Sequence, residues 1–165
     1  MLSSALFVLT FIAALGAALV AGIFYAFSTS VMRALGNLAP AEGIAAMQSI
    51  NVAVFNVWFM GAMFGTAAIC LVLAIGSFLA WHQTGAAYIL AGSALYLAGT
   101  ILVTVVFNVP LNNALAATNA ASADGSKIWA RYLSDWTWWN HVRSAAALAA
   151  AAFFITALVA RASQA

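Results

Sequence analysis

The sequence predicts an all-α integral membrane protein, an antiparallel up-and-down four-helix bundle that forms one domain over residues 1–165. Composition is the first observation: 67% of the residues are hydrophobic and 5% are charged, whereas a soluble domain has roughly a quarter charged residues. The second is the absence of Lys, Arg, Asp and Glu between Gly43 and Ala123. Together they exclude a water-soluble fold.

Four apolar segments are long enough to cross a bilayer, which takes about 20 residues of helix. They cover residues 2–31, 53–81, 86–108 and 126–160. Backbone groups in hydrocarbon must be paired within a helix or a closed barrel, and the alternating pattern of a barrel is missing. The first segment is too long and too uncharged at its start for an ordinary signal peptide. We therefore expect four membrane-spanning helices, the last extending beyond the bilayer.

Shorter signals predict where helices begin, end and pack. Pro40 followed by Glu42 is typical of a helix start and suggests a short interfacial helix that runs into the second span. Asn108-Val109-Pro110 predicts the end of the third helix, because the residue before proline is disfavoured in helical conformation. Gly61 and Gly65 have the spacing of closely packed membrane helices. Such small-residue faces also make a homo-oligomer a possible assembly.

The two ends of the predicted bundle differ in charge. Both termini and the turn at 82–85 share one end, named here the plain end; the other, the charged end, contains residues 32–52 and 108–141. By the positive-inside rule the charged end is cytoplasmic and the termini are outside. We expect a multi-pass protein of the inner (plasma) membrane of a bacterium, in contact with lipid. A net charge of +2 is too small and scattered for nucleic-acid binding.

One stripe on the fourth segment combines aromatic and polar side chains. At about 100° per residue, it occupies an arc of roughly 80° and contains Trp129, Tyr132, Trp136, Asn140 and Arg143. Asn140 and Arg143 would lie about one turn inside the membrane, where polar groups are costly and therefore candidate site residues. The alternative is an interfacial aromatic belt with Arg143 extended to the lipid headgroups. His141 lies off the stripe.

The other segments carry matching side chains at the charged end. These candidate ligand-binding residues are Phe24, Phe27, Gln48, Asn51 and Asn108. An amide is costly in hydrocarbon, so Asn51, Asn108 and Asn140 at one depth indicate a pocket with aromatic walls and fixed polar donors. We predict that these three amides and Arg143 face one cavity that opens toward the charged end.

Metal and cofactor chemistry has little support in the sequence. His82 and His141 belong to opposite ends, and Glu42 is the single glutamate, whereas zinc and di-iron sites need several converging ligands. No Gly-rich nucleotide loop occurs, nor a nucleophile with a base in register. We predict no metal and no cofactor; the alternative is haem ligation by His141 alone.

Four stretches together resemble the anthrone oxygenase family of small membrane proteins. They are GIFYAFSTSVMRAL at 22–35, AMQSIN at 46–51, NVPLNNAL at 108–115 and WARYLSDWTWWNHVR at 129–143. The resemblance covers most of the chain and implies the same helical fold. Fungal members are associated with oxidising anthrones to anthraquinones without metal or flavin, so it also implies a cofactor-independent monooxygenase.

The resemblance gives the predicted site residues natural roles. The rings of the stripe would stack on a polycyclic phenol, and His141 would act as the base. Arg143, with Asn140 and Asn51, would stabilise the enolate and superoxide charges. Two other functions stay open: a non-catalytic binder or transporter of a hydrophobic small molecule or lipid, and a structural membrane subunit.

Overall fold

A computed structural model describes residues 2–164, and this part of the chain forms five helices and no strand. Helix α1 comprises Leu2–Ala26 and Met32–Gly36, joined by a π-helical turn at Phe27–Val31. Helix α2 is Pro40–Ala53, α3 is Val57–Leu79 and α5 is Gly125–Ala162. Helix α4 begins with Ala86–Ala94, continues through π-helical turns at Leu95–Leu102 and Thr104–Asn108, and ends with Val109–Ala116. All except α2 are long and apolar enough to cross a membrane. The predicted all-α fold with four long apolar helices is confirmed.

The four long helices surround one core. α1 and α4 each pack against both α3 and α5, and the fully buried side chains between them include Val20, Cys70, Tyr96 and Phe154. The outer face is also apolar, and residues such as Leu79 are mostly exposed on it. Soluble monomers rarely expose continuous apolar surface. The arrangement is therefore compatible with a multi-pass membrane protein.

Helices approach closely where a glycine meets a side chain of the next helix. Gly16 of α1 lies against Thr66 of α3, and Gly92 of α4 lies against Phe154 of α5; neither glycine has room for a Cβ atom. Gly61 instead faces open space, with no heavy atom within 4 Å of a Cβ, as does Gly65. The packing predicted for that pair does not occur within the chain.

The short helix α2 forms as predicted, but it does not run directly into the second span. The chain turns between them at Asn56, whose backbone is extended (φ −117°, ψ 158°) and whose side chain accepts hydrogen bonds from the amides of Trp58 and Phe59. This is an N-cap, so α3 begins at Val57 instead of near residue 53. Phe55 at the turn is 77% exposed.

The predicted helix end at Asn108 is wrong, because α4 continues through Pro110 to Ala116. In a regular α-helix the proline ring clashes with the carbonyl four residues earlier. Here π-helical turns precede Pro110, and the amide of Val109 donates to the carbonyl of Thr104. The wider turns accommodate the ring, so the helix extends across the charged end.

Helix α5 is continuous from Gly125 to Ala162, close to the predicted 126–160. Its 38 residues span about 57 Å at about 1.5 Å per residue, whereas the hydrocarbon layer is about 30 Å thick. The charged first part of α5, with Lys127, Arg131 and Asp135, therefore extends beyond the hydrocarbon, as predicted.

Candidate functional site

A cavity of about 390 Å³ lies at the charged end of the bundle. Helices α1, α2, α3, α4 and α5 all contribute to its wall, which is mainly aromatic and aliphatic. Its polar lining residues are Asn51, Asn56, Thr104, Asn112 and Arg143. The size and the few polar groups in an apolar wall are typical of a small-molecule site.

Arg143 is the charged residue of the cavity wall, and it is 5% exposed. Its guanidinium carbon lies 3.9 Å from the centroid of the Phe24 ring and 4.9 Å from that of Trp136. Nε donates to Oδ1 of Asn140 at 2.8 Å, and Nη1 donates to Oγ1 of Thr104 at 3.2 Å. Cation–π contacts and neutral acceptors therefore hold the guanidinium in place.

Among residues 2–164, no carboxylate neutralises this buried cation. Within residues 2–164 the one ion pair joins Arg131 to Asp135 on the exposed surface of α5. A buried charge without a partner is costly, and Arg143 faces a space large enough for a ligand. The electrostatics of the cavity therefore favour an anion.

Asn140 positions Arg143 and does not itself line the cavity. It is fully buried, and its Nδ2 donates to the carbonyl of Phe24 and to Oγ of Ser28, both at 2.6 Å. Its Oδ1 accepts from Nε of Arg143. The π-helical turn of α1 begins shortly after Phe24, and such turns are frequent at functional sites. Asn140 thus connects α1 to the cation.

The aromatic side chains of the stripe point inward and are buried. Trp138, a neighbouring residue outside the stripe, is 64% exposed, as expected for an interfacial aromatic belt. The rings form a series in which Trp129 and Tyr132 are 5.7 Å apart, and Tyr132 and Trp136 6.0 Å apart. Trp136 lines the cavity, whereas the other two lie behind it. Trp129 packs on Gly43 of α2, so the buried rings also anchor that helix.

Tyr132 and Gln48 brace the charged end. The Tyr132 hydroxyl donates to Oδ1 of Asn112 at 2.8 Å. Nε2 of Gln48 donates to the carbonyls of Leu115 and Thr118 at 2.8 and 2.9 Å. Gln48 does not line the cavity; it ties α2 to the end of α4.

The prediction that three amides and Arg143 face one cavity is correct for two of these four residues. Asn51 and Arg143 line it, as do Phe24 and Phe27. Asn108 does not: it is fully buried, and its Nδ2 donates to the carbonyl of Trp136 at 3.2 Å. The prediction was thus wrong for Asn108 and for Asn140, because both amides are used to hold helices together.

His141 lies on the exposed surface of α5 and does not line the cavity. The structure therefore gives no contact through which this imidazole could act as a base on a bound ligand. In the described part of the chain, no three His, Cys, Asp or Glu residues come together as metal ligands. The expectation that the protein needs no metal stays a prediction.

Three of the polar cavity residues were absent from the predicted site: Asn56, Thr104 and Asn112. The signal for Thr104 and Asn112 was the i, i+4, i+8 spacing of Thr104, Asn108 and Asn112, which places all three near one helix face. The expected helix end at Pro110 concealed this continuity.

Fold and site together define a helical protein with four helices long and apolar enough to cross a membrane, and with an internal aromatic cavity whose cation has no carboxylate partner among residues 2–164. The profile of the anthrone oxygenase family matches residues 54–153. This is more than half of the chain, and the protein belongs to that family. The match covers α3, α4 and most of α5, including Arg143. No curated protein and no solved structure matches the chain.

Proposed function

We propose that the protein is a cofactor-independent oxygenase that binds an aromatic phenol or enolisable ketone and stabilises its anion beside Arg143. The observation that carries this proposal is the buried guanidinium on an aromatic wall, which has no carboxylate partner among the described residues. Preorganised donors of this kind stabilise charge that develops during a reaction. Family membership supports the same reaction class.

Further donors support an oxygen-bearing ligand. Nδ2 of Asn51 and Nε1 of Trp136 are buried without a hydrogen-bond partner among the described residues, and both residues line the cavity. Buried polar groups are normally paired, so each unpaired N–H is a candidate contact for a ligand. A planar molecule with more than one oxygen acceptor would satisfy these groups and place its ring against Phe24 and Phe27.

The reaction needs little from the protein once the anion is bound. An anthrone loses a proton from its CH₂ group to water and becomes an electron-rich enolate. O₂ accepts electrons from this enolate and forms a C–O bond at the same carbon. The resulting peroxide takes one proton back, and loss of water together with the second hydrogen of that carbon then breaks the O–O bond and leaves the quinone. One anthrone and one O₂ give one anthraquinone and one water, so the substrate supplies all the electrons.

Binding without reaction is the second candidate function. The observation that favours it is the absence of a carboxylate or imidazole from the cavity wall, because proton transfer by a positioned side chain is a common contribution to catalysis. In this case the same cavity would hold or transport an apolar anion.

Oxygen consumption by purified protein in detergent distinguishes the two. We expect protein-dependent O₂ uptake with anthrone, with one anthraquinone formed for each O₂ consumed. Arg143→Gln should lose most of this activity, whereas Arg161→Gln, at the plain end of the same helix, should retain it. No protein-dependent uptake across a panel of anthrones and hydroquinones would contradict the oxygenase and favour the binder.

A further inference from the structure

We propose that ligands enter the cavity sideways from the hydrocarbon layer of the membrane, through an opening between α3 and α4. This inference rests on the proposed ligand site but does not require that the ligand react. The opening is named here the lateral opening, and its edges are Phe64 of α3 and Val105 and Val109 of α4. It is an access route to the ligand site, formed because α3 and α4 separate in the charged half of the bundle.

The two helices pack together in the plain half and separate in the charged half. α3 packs along the first part of α4, through Leu95–Leu102, but makes no comparable packing with Thr104–Asn108 or Val109–Ala116. The Tyr96 hydroxyl donates to the carbonyl of Met63 at 3.1 Å. This hydrogen bond lies at the plain-end side of the cavity, and beyond it the space between the helices belongs to the cavity.

The residues at the lateral opening contact both the cavity and the outside. Phe64, Val105 and Val109 line the cavity and are 49%, 54% and 37% exposed, respectively. All three are apolar. Phe64 lies about 10 Å along α3 from its start at about 1.5 Å per residue, within the depth of the hydrocarbon layer. A mouth of this composition at this depth faces lipid and not water.

Helix α2 covers only part of the water-facing side of the cavity, because Phe55 and Asn56 of the exposed α2–α3 turn also line it. α2 lies across the charged end, with Met47 only 1% exposed. Gln48 fixes this cover to α4 through the carbonyls of Leu115 and Thr118. A ligand arriving from solution across α2 would therefore have to displace a helix that is hydrogen-bonded in place.

Contacts also join the other neighbouring helices at the depth of the cavity. Between α1 and α3, the rings of Phe24 and Phe59 meet edge to face, with 6.1 Å between their centroids. Between α4 and α5, Asn108 donates to the carbonyl of Trp136. Where α3 separates from α4, none of these contacts has to break for a ligand to enter.

Entry through the hydrocarbon layer restricts which molecules can reach the cavity. A charged molecule is costly in hydrocarbon, so the uncharged, protonated form of a phenol or ketone is the form that would pass. We therefore expect ligands that partition into lipid before they bind, with ionisation only at Arg143.

The test uses 2-naphthol, an apolar aromatic phenol, with protein in phosphatidylcholine vesicles. Naphthol is dissolved in protein-free vesicles and mixed with the protein vesicles, and loading is followed as quenching of tryptophan fluorescence. The quenching that occurs in the unaltered protein and is lost in Arg143→Gln reports naphthol bound in the cavity. Release is measured in the same way, by dilution into empty vesicles.

Variants at the edges should change the rates in opposite directions. Val105→Phe narrows the lateral opening and should slow both loading and release several-fold, whereas Phe64→Ala widens it and should speed both. The matched control is Val106→Phe, because Val106 is 47% exposed on the same helix and does not line the cavity. A loosened fold could also speed exchange in Phe64→Ala, so its thermal unfolding in detergent is measured beside the rates, and the expected result is faster exchange at an unchanged unfolding temperature.

Unchanged rates in Val105→Phe and Phe64→Ala would overturn the route, as would equal slowing by Val106→Phe. No Arg143-dependent signal in the unaltered protein would overturn both the route and the proposed ligand class. Rates that follow the prediction in a protein without O₂ uptake would support the route and contradict only the oxygenase.

Discussion

The plain and charged halves of the bundle share the same four long helices but pack in different ways. In the plain half, glycines let helices meet without a gap, as at Gly16 and Gly92. In the charged half, α1 and α4 contain π-helical turns, α2 is inserted, and a cavity of about 390 Å³ remains. Close helix packing and ligand binding thus occupy separate parts of this fold. Substitutions in the two halves should therefore have separable effects.

The largest expected effect is on activity in the charged half. Arg143→Gln keeps a polar side chain but removes the charge that stabilises the bound anion. Loss of one such donor typically lowers the rate by about 10² to 10³, and we expect that range for anthrone-dependent O₂ uptake. Circular dichroism in detergent should show an unchanged helical content. Activity near that of the unaltered protein would show that Arg143 is not at the reacting centre.

The next effect concerns stability in the plain half. In Gly92→Val the new Cβ would lie 2.8 Å from the Phe154 ring, so α4 and α5 would have to move apart. Overpacking of this kind costs about 1 to 3 kcal/mol, and thermal unfolding in detergent should occur at a lower temperature. Gly61→Val is the matched control, because its Cβ would meet open space. Equal destabilisation by both would show that helix propensity, and not packing, is responsible.

A smaller effect should separate binding from stability at Asn51. Its Nδ2 is buried without a partner, so Asn51→Leu removes an unsatisfied donor and should leave thermal stability equal or higher. If that N–H contacts the ligand, naphthol affinity should fall by the value of one hydrogen bond, about 0.5 to 1.5 kcal/mol. Isothermal titration in detergent measures it. A loss of stability with unchanged affinity would assign Asn51 a purely structural role.

The smallest effect is expected at His141. Its exposed side chain lies outside the cavity, and surface substitutions usually change stability by less than about 0.5 kcal/mol. We expect His141→Ala to retain most of the O₂ uptake, with His82→Ala at the plain end as the control. A loss comparable to that of Arg143→Gln would restore the imidazole as the base and require it to reach the ligand.

Apolar segments and helix geometry made much of this architecture predictable. Segment length alone identified the four long helices, and the angular spacing placed Trp136 and Arg143 on a buried face. Continuation of α4 past Pro110 was missed, because proline ordinarily breaks a helix and nothing in the sequence marks the π-helical turns that accommodate its ring. The spacing of Thr104, Asn108 and Asn112 was the one indication of a continuous helix. The roles of Asn108 and Asn140 were also hidden, since a helical wheel gives the direction of a side chain but not the group to which it bonds.

If Arg143 holds a ligand as its anion, the absorption spectrum of bound 2-naphthol shows this directly. Naphthol and naphtholate have different absorption bands. A nearby cation favours the charged form and lowers the pKa of the bound phenol. In protein titrated below the solution pKa of naphthol, we predict a naphtholate band that is absent in Arg143→Gln. Bound naphthol that stays protonated, or a band that persists in Arg143→Gln, would contradict the account.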